Sequence, residues 1–129
     1  MRMKKLLIIA SILGASGVIL GAFGAHALKE AISVERLQSF EVGVRYQMYH
    51  GLALLIIGLN ADKIKFSLRA FQICILIGTL LFSLSIYFLA IQELIGLNLK
   101  FLGPITPLGG SLMIIGWVIF LLNLFRNKS

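Results

Sequence analysis

The stretch L-L-I-I-A-S-I-L-G-A-S-G-V-I-L-G-A-F-G-A-H-A-L, from Leu6 to Leu28, decides the fold. Its 23 residues include no Asp, Glu, Lys or Arg. A helix of this length spans ~34 Å, which is enough to cross the hydrocarbon core of a bilayer with some tilt. The sequence therefore predicts a first membrane-spanning helix at residues 6–28.

The same segment shares features with a secretory signal peptide: a basic start, an apolar middle and the A-x-A-like sequence Ala25-His26-Ala27. Its apolar run is longer than the core of about 7–15 residues that such peptides have. We therefore expect the segment to remain as a helix of the folded protein.

Composition indicates that the bilayer is the solvent for most of this chain. In only 129 residues, 59% are hydrophobic and the mean hydropathy is +0.98, more apolar surface than a water-soluble core of this size can absorb. A net charge of +7 would suggest nucleic-acid binding in a soluble protein, but the basic residues here separate apolar runs instead of forming a patch. We expect no nucleic-acid partner.

Three further segments have the length of a membrane span, at residues 40–60, 70–91 and 107–125. Ser33 is placed to cap the second helix, and Thr106 followed by Pro107 is placed to begin the fourth. Together with residues 6–28, these segments predict an all-α polytopic membrane protein. The chain, residues 1–129, then forms one domain, a four-transmembrane-helix bundle.

The charges divide unequally between the two sides of such a bundle. The side with both termini and the middle loop holds eight basic residues against Asp62, a net +7, whereas the other side holds four basic and four acidic residues. Basic residues are enriched on the cytoplasmic side of membrane proteins. We therefore expect both termini to be cytoplasmic.

Polar side chains of the predicted spans gather in the half of the bilayer away from the termini. Glu41 and Arg45 are four residues apart, as are Tyr46 and His50, so each pair can meet on one helix face. We predict an ion pair between Glu41 and Arg45 inside a polar cluster that is either structural or ligand-binding. The predicted members are His26, Glu41, Arg45, Tyr46, Gln47, His50, Ser83 and Tyr87.

The sequence favours no metal or cofactor at this cluster, and it yields no catalytic residue. His26 and His50 would differ by ~15 Å in depth, too far apart to be two axial ligands of one haem iron. The single cysteine, Cys74, lies in an apolar run and is expected to be a buried, inert thiol. Trp117 lies in the middle of the fourth span, so its indole N–H needs an acceptor inside the bundle, a Ser hydroxyl or a carbonyl.

Small residues predict where helices approach closely. Gly17, Gly21 and Ala25 recur at the small-xxx-small spacing of membrane helix contacts. This spacing fits packing within the chain or a dimer seam, and packing within the chain is the favoured interpretation. The predicted packing glycines are Gly14, Gly17, Gly21, Gly24, Gly110 and Gly116.

Four motifs extend over nearly the whole chain: G-A-F-G-A-H-A-L-K at Gly21–Lys29, F-x-x-G-V-x-Y-Q-x-x-H at Phe40–His50, L-F-S-x-S-x-Y at Leu81–Tyr87, and G-P-I-T-P-x-G-G at Gly103–Gly110 with Gly116-Trp117. Together they resemble the YgdD/YwdK-like family of small four-helix membrane proteins. That family has no known function. The resemblance implies four membrane helices and a bacterial plasma-membrane location, and it transfers no catalytic residue.

Two functions remain open on these grounds. The first is a non-enzymatic membrane protein that supports envelope integrity or other membrane components, with lipids, further copies of itself or other membrane proteins as partners. The second is a small-solute or proton-coupled carrier that uses the polar cluster. The apolar inner half of the spans counts against a carrier, and no pair of nucleophile and base suggests an enzyme.

The charge division yields a testable topology. Single cysteines are placed at Ser129 and at Asn98 and are treated from the cell exterior with a membrane-impermeant thiol reagent. We expect the cysteine at 98 to react and the one at 129 to be protected. The opposite pattern would show that the orientation is inverted.

Overall fold

The computed structural model describes residues 3–127, and these residues form an all-α fold, as predicted. The four α-helices are α1 (Met3–His26), α2 (Val34–Leu59), α3 (Arg69–Ile91) and α4 (Ile105–Arg126). Short 3-10 helices lie in the connections, at Leu28–Glu30, Ala61–Lys63 and Lys100–Leu102.

Within residues 3–127, three helical segments are long and apolar enough to cross a membrane: Met3–Glu30, Arg69–Ile91 and Lys100–Arg126. The helix α2 is not among them because polar and charged residues interrupt its first half. Its 26 residues nevertheless extend ~39 Å, and it packs between α1 and α3 as the remaining member of the bundle. The limits of the bilayer along each helix stay predictions.

The helix starts show where the capping predictions hold and where they fail. Ser33 caps α2, since its Oγ accepts a hydrogen bond from the backbone N–H of Arg36 at 3.2 Å. The predicted cap at Thr106 is wrong: α4 begins at Ile105, and the Thr106 hydroxyl instead lies 2.6 Å from the hydroxyl of Ser85 on α3. Pro107 is tolerated because the N–H groups of a first helical turn have no partner within the helix.

Neighbouring helices in the chain are neighbours in space, with α1 on α2, α2 on α3 and α3 on α4. Two apolar clusters fill the interior, one towards each end of the bundle. The cluster towards the termini consists of Leu6, Ala10, Leu13, Leu54, Phe71, Ile75 and Met113. The cluster towards the other end consists of Leu28, Phe40, Tyr87 and Ala90.

The glycines of α1 make room for α2 within the same chain. A Cβ added at Gly17 would collide with the sulfur of Met48, and one at Gly24 would lie 3.1 Å from the ring of Phe40. A Cβ at Gly21 would lie 3.5 Å from Val44, an ordinary contact distance. This face of α1 is therefore occupied by an intramolecular contact.

Two predicted packing glycines make no such close approach. No atom of a neighbouring element lies within 4 Å of a Cβ built at Gly14, so a methyl group there would meet no neighbour. At Gly110 the nearest atom is 3.6 Å away on the Phe82 ring, so a methyl group would fit. The repeat spacing alone did not show which glycines face a neighbour.

Among the glycines of the described residues, the closest approach to a neighbouring backbone joins α3 to α4, at Gly78 and Gly109, which we did not predict. A Cβ at Gly78 would lie 2.8 Å from the carbonyl oxygen of Gly109 and from the amide nitrogen of Met113. A Cβ at Gly109 would lie 2.7 Å from the carbonyl oxygen of Gly78. Gly116 continues this contact, since its Cβ would lie 3.1 Å from the Cβ of Cys74.

This geometry separates two glycine substitutions of identical chemistry. Gly78→Ala forces α3 away from the backbone of α4, and overpacking of this kind lowers the free energy of unfolding by about 1–3 kcal/mol. Gly14→Ala meets no neighbour and should leave it unchanged or raise it by up to ~1 kcal/mol. Thermal unfolding in one detergent measures both. Equal stability of the two variants would contradict the α3–α4 contact.

Candidate functional site

The side-chain amide of Gln47 connects three helices in the interior. Its Nε2 donates to the carbonyl oxygen of Leu13 at 2.9 Å and to the hydroxyl of Ser16 at 2.8 Å, both on α1. Its Oε1 accepts a hydrogen bond from the Tyr87 hydroxyl of α3 at 2.6 Å. Both amide hydrogens and the amide oxygen are thereby used, and Gln47 itself is buried.

A second polar contact holds α2 against α3 nearby. The hydroxyl of Ser83 donates to the carbonyl oxygen of Gly43 at 2.8 Å. Gly43 also admits the ring of Tyr87, since a Cβ there would lie 2.8 Å from a ring carbon. Ser83 is buried and bonds to backbone, so it contributes to the joint between α2 and α3.

His50, on α2, faces α4, and both of its ring nitrogens have hydrogen-bond partners. Its Nδ1 is 2.8 Å from the carbonyl oxygen of Tyr46, and its Nε2 is 3.0 Å from the indole nitrogen of Trp117. An indole N–H can only donate, so Nε2 accepts and Nδ1 carries the proton. The acceptor for Trp117 is thus an imidazole, where we expected a hydroxyl or a carbonyl.

The other predicted members are not brought into these contacts. Within residues 3–127 the salt bridge that forms joins Arg36 to Glu93, and the predicted ion pair of Glu41 with Arg45 is absent. Both side chains lie on the exposed face of α2, where the surroundings can solvate each of them separately. His26 is also exposed, at the last residue of α1.

The ion pair at the end of the bundle away from the termini was missed by the sequence reasoning. Arg36, in the first turn of α2, donates through Nη2 to Glu93 at 2.8 Å and through Nη1 to the carbonyl oxygen of Leu89 at 3.1 Å. The available signal was positional, because Arg36 in the first turn of α2 and an acidic residue just after α3 lie at the same end of antiparallel helices.

Two cavities lie between α2 and α4, with α3 as their floor. They measure about 550 and 390 Å³, and Val42 lines both. The outer cavity, nearer the start of α2, is lined by Glu35, Arg36, Ser39, Val42, Ile86, Leu89, Ala90, Gly103, Thr106 and Pro107. The inner cavity is lined by Val42, Tyr46, His50, Phe82, Gly110, Met113, Ile114 and Trp117.

The interior polar atoms are paired with one another. In the described part of the chain, every buried side-chain nitrogen or oxygen has a hydrogen-bond partner. Over residues 3–127, no three His, Cys, Asp or Glu side chains come together in a way that could hold a metal ion. The polar groups therefore act first as joints between helices, and the predicted lack of a metal or cofactor stays a prediction.

Residues 20–110 match the family described as "Protein of unknown function (DUF423)". The chain belongs to this family. The matched region contains Gln47, His50 and Tyr87, so most of the residues that form the polar contacts between helices lie within it. The resemblance predicted from the motifs is confirmed.

Full-length relatives extend this match over nearly the whole chain. "UPF0382 membrane protein SAB0533" of Staphylococcus aureus is 40% identical over 124 residues, 96% of this chain and 98% of the relative. "UPF0382 membrane protein YwdK" of Bacillus subtilis is 39% identical over 118 residues, 90% and 92% of the two chains. A relative from Haemophilus influenzae is 36% identical over 126 residues, 98% of each. No solved structure matches the chain.

The names of these relatives and the apolar helices indicate that the protein is a small membrane protein of a family without known function. The family members therefore supply no substrate or partner.

The joint at Gln47 can be tested by a double-mutant cycle. Tyr87→Phe leaves the Gln47 oxygen without its donor, and Gln47→Leu leaves the Tyr87 hydroxyl without its acceptor, so each should destabilise the bundle. We expect a coupling energy between about 0.6 kcal/mol, the average for such bonds in a membrane protein, and about 1.7 kcal/mol, the maximum. The measurement is thermal or denaturant unfolding in detergent.

Tyr49→Phe is the matched control, because Tyr49 lies on the same helix and is 56% exposed. It should leave stability unchanged. Strict additivity of Gln47→Leu and Tyr87→Phe would show that the two side chains do not interact.

Proposed function

We propose that this protein is a non-enzymatic component of the bacterial plasma membrane that supports the integrity of the membrane or of other components in it. The observation that carries this proposal is the pairing of the interior polar groups with one another. Hydrogen bonds between helices occupy the polar groups of four side chains, Gln47, Tyr87, His50 and Trp117. A bundle joined in this way is suited to a persistent role as a membrane component.

The outer surface supports a role in contact with lipid. Large apolar side chains are exposed on both edge helices, such as Ile12 and Ile19 on α1 and Ile114 and Phe125 on α4, each more than 60% exposed. Such a surface would aggregate in water, whereas in a bilayer it faces acyl chains. The proposed partners are therefore membrane lipids, further copies of this chain and other membrane proteins.

The proposed orientation follows from charge. The side of the bundle with both termini carries a net +7 in sequence, which supports cytoplasmic termini and a multi-pass inner-membrane location. In that orientation the Arg36–Glu93 ion pair lies at the outer surface of the membrane.

The alternative, a solute or proton-coupled carrier, is less well supported by the geometry. A carrier needs polar groups that can exchange a helix partner for a solute along a path through the bundle. Here the buried groups are committed to neighbours, and the charges of Glu41 and Arg45 lie on an exposed helix face. This arrangement favours the supporting role.

The proposal is tested by deleting the gene in a bacterium that carries it and returning variants of this chain. We expect the deletion to increase entry of a membrane-impermeant dye and the wild-type chain to restore exclusion. Gln47→Leu should restore it only in proportion to the folded protein that remains, because its defect is in stability. Glu41→Gln and Arg45→Gln should restore it fully.

The carrier alternative predicts a different pattern in proteoliposomes. The wild-type protein would then dissipate a pH gradient faster than protein-free liposomes, and Glu41→Gln or Arg45→Gln would abolish this flux without loss of folded protein. That result would overturn the supporting role. Unchanged dye entry after the deletion would also contradict it.

A further inference from the structure

The two cavities between α2 and α4 form one groove that is open along the side of the bundle. Val42 lines both cavities, and on α3 the floor passes from Phe82 to Ile86, one helical turn further. On α4 the wall passes from Gly110 to Thr106, again about one turn. The outer and inner cavities therefore follow one another along all three helices.

The length of this groove matches one leaflet of a membrane. From Arg36 at the outer end to His50 at the inner end, α2 rises ~21 Å. A bilayer is about 40–45 Å thick with its headgroups, so one leaflet measures ~20–22 Å. A single lipid with its headgroup at Arg36 would extend its acyl chains to the region of His50.

The inner part of the groove suits an acyl chain. Its walls are mostly apolar, and its polar members there are already bonded: His50 accepts from Trp117, and its other nitrogen lies against the carbonyl of Tyr46. The polar atoms of His50 and Trp117 therefore keep their hydrogen-bond partners when a hydrocarbon chain covers them.

The outer end of the groove presents charges in a fixed arrangement. Arg36 is held by the carbonyl oxygen of Leu89 and by Glu93, and its guanidinium has five N–H donors, so further donors remain for a phosphate oxygen. Its side chain is 31% exposed, compared with 78% for Glu93. Glu35 lines the same end of the groove.

Two carboxylates accompany this guanidinium: Glu93 is bonded to Arg36, and Glu35 lines the groove beside it. Such a set is complementary to a headgroup that carries both charges. The phosphate of such a headgroup can bond to Arg36, while its ammonium group is attracted by Glu35 and Glu93. A lipid with a net negative headgroup would bring its charge to a site whose three charged groups sum to −1. The charge pattern therefore favours a zwitterionic lipid.

We propose that the groove between α2 and α4 binds one zwitterionic phospholipid of the phosphatidylethanolamine class, with its phosphate on Arg36 and an acyl chain over Val42. This site deepens the proposed function, because it gives the membrane-supporting role a defined lipid contact. It also explains why α2 and α4 can lie apart over α3, since a lipid occupies the space between them.

The test uses the full-length protein in nanodiscs that contain phosphatidylethanolamine and phosphatidylglycerol with the same acyl chains. Native mass spectrometry after release counts the lipids that stay bound. We expect one retained phosphatidylethanolamine for the wild type and about a tenfold loss of affinity for Arg36→Gln, the size of one lost charge-assisted bond. Val42→Phe should reduce retention similarly, since its ring fills the groove.

Each variant has a matched control of the same chemistry outside the groove. Arg45→Gln removes an exposed guanidinium from the same helix, and Val18→Phe adds a ring to a position on α1 that is 63% exposed. Both should retain the lipid as the wild type does. Thermal unfolding of all four variants shows that any loss of lipid is not a loss of fold.

Three outcomes would overturn the proposal. Equal retention of phosphatidylglycerol would contradict the preference for a zwitterionic headgroup. Unchanged retention in both Arg36→Gln and Val42→Phe would show that the groove is not the binding site. A dimer without lipid that Val42→Phe disrupts would assign the groove to a second copy of the chain. The dye-entry assay is independent, so a wild type that binds the lipid but fails to restore exclusion would contradict the proposed function and leave the lipid site intact.

Discussion

The structure depends on one constraint, that a polar side chain within a bilayer must find its partners inside the protein. The Gln47 amide meets this constraint only because glycines let its partners approach. A Cβ at Gly17 would lie 3.5 Å from the Gln47 nitrogen and would collide with Met48, and a Cβ at Gly43 would lie 2.8 Å from the ring of Tyr87. The glycines and the hydrogen bonds of Gln47 therefore depend on each other. Small residues bring α1 and α3 close enough to α2 for the Gln47 side-chain amide to find its partners.

This coupling explains how α2 can belong to the bundle although its composition is the least apolar of the four helices. The residues that lower its hydropathy divide into two groups. Gln47 and His50 are buried and bonded to neighbouring helices, so they add little exposed polarity. Glu41 and Arg45 lie on the exposed face, in the half of the helix nearer its start. In the proposed orientation, headgroups and water would be within their reach.

The sequence predicted the elements well and their mutual orientation poorly, for a physical reason. Apolar runs and the cap at Ser33 locate helices because they depend on local composition alone. The spacing of Glu41 and Arg45 shows that they share a helix face, but only the neighbouring helices decide whether that face is covered. The partner of His50 is Trp117, 67 residues away, and no local pattern relates them. Gly78 was missed because a single glycine in an apolar run has no repeat to mark it. Gly109 was missed because the sequence Gly109-Gly110 does not show which of the two faces a neighbouring helix.

The same contacts account for the groove. Gly78 and Gly109 bring the backbone of α4 against α3, and the Gln47 amide joins α2 to both α1 and α3. Both α2 and α4 therefore pack on α3, and the bond from Trp117 to His50 bridges them. Between α2 and α4 there remains a space that is too apolar for water to fill favourably. In a membrane such a space is filled by what surrounds it, and the proposed lipid would meet its charged partners at the outer end, where Arg36 is bonded to Glu93 and Glu35 lines the groove.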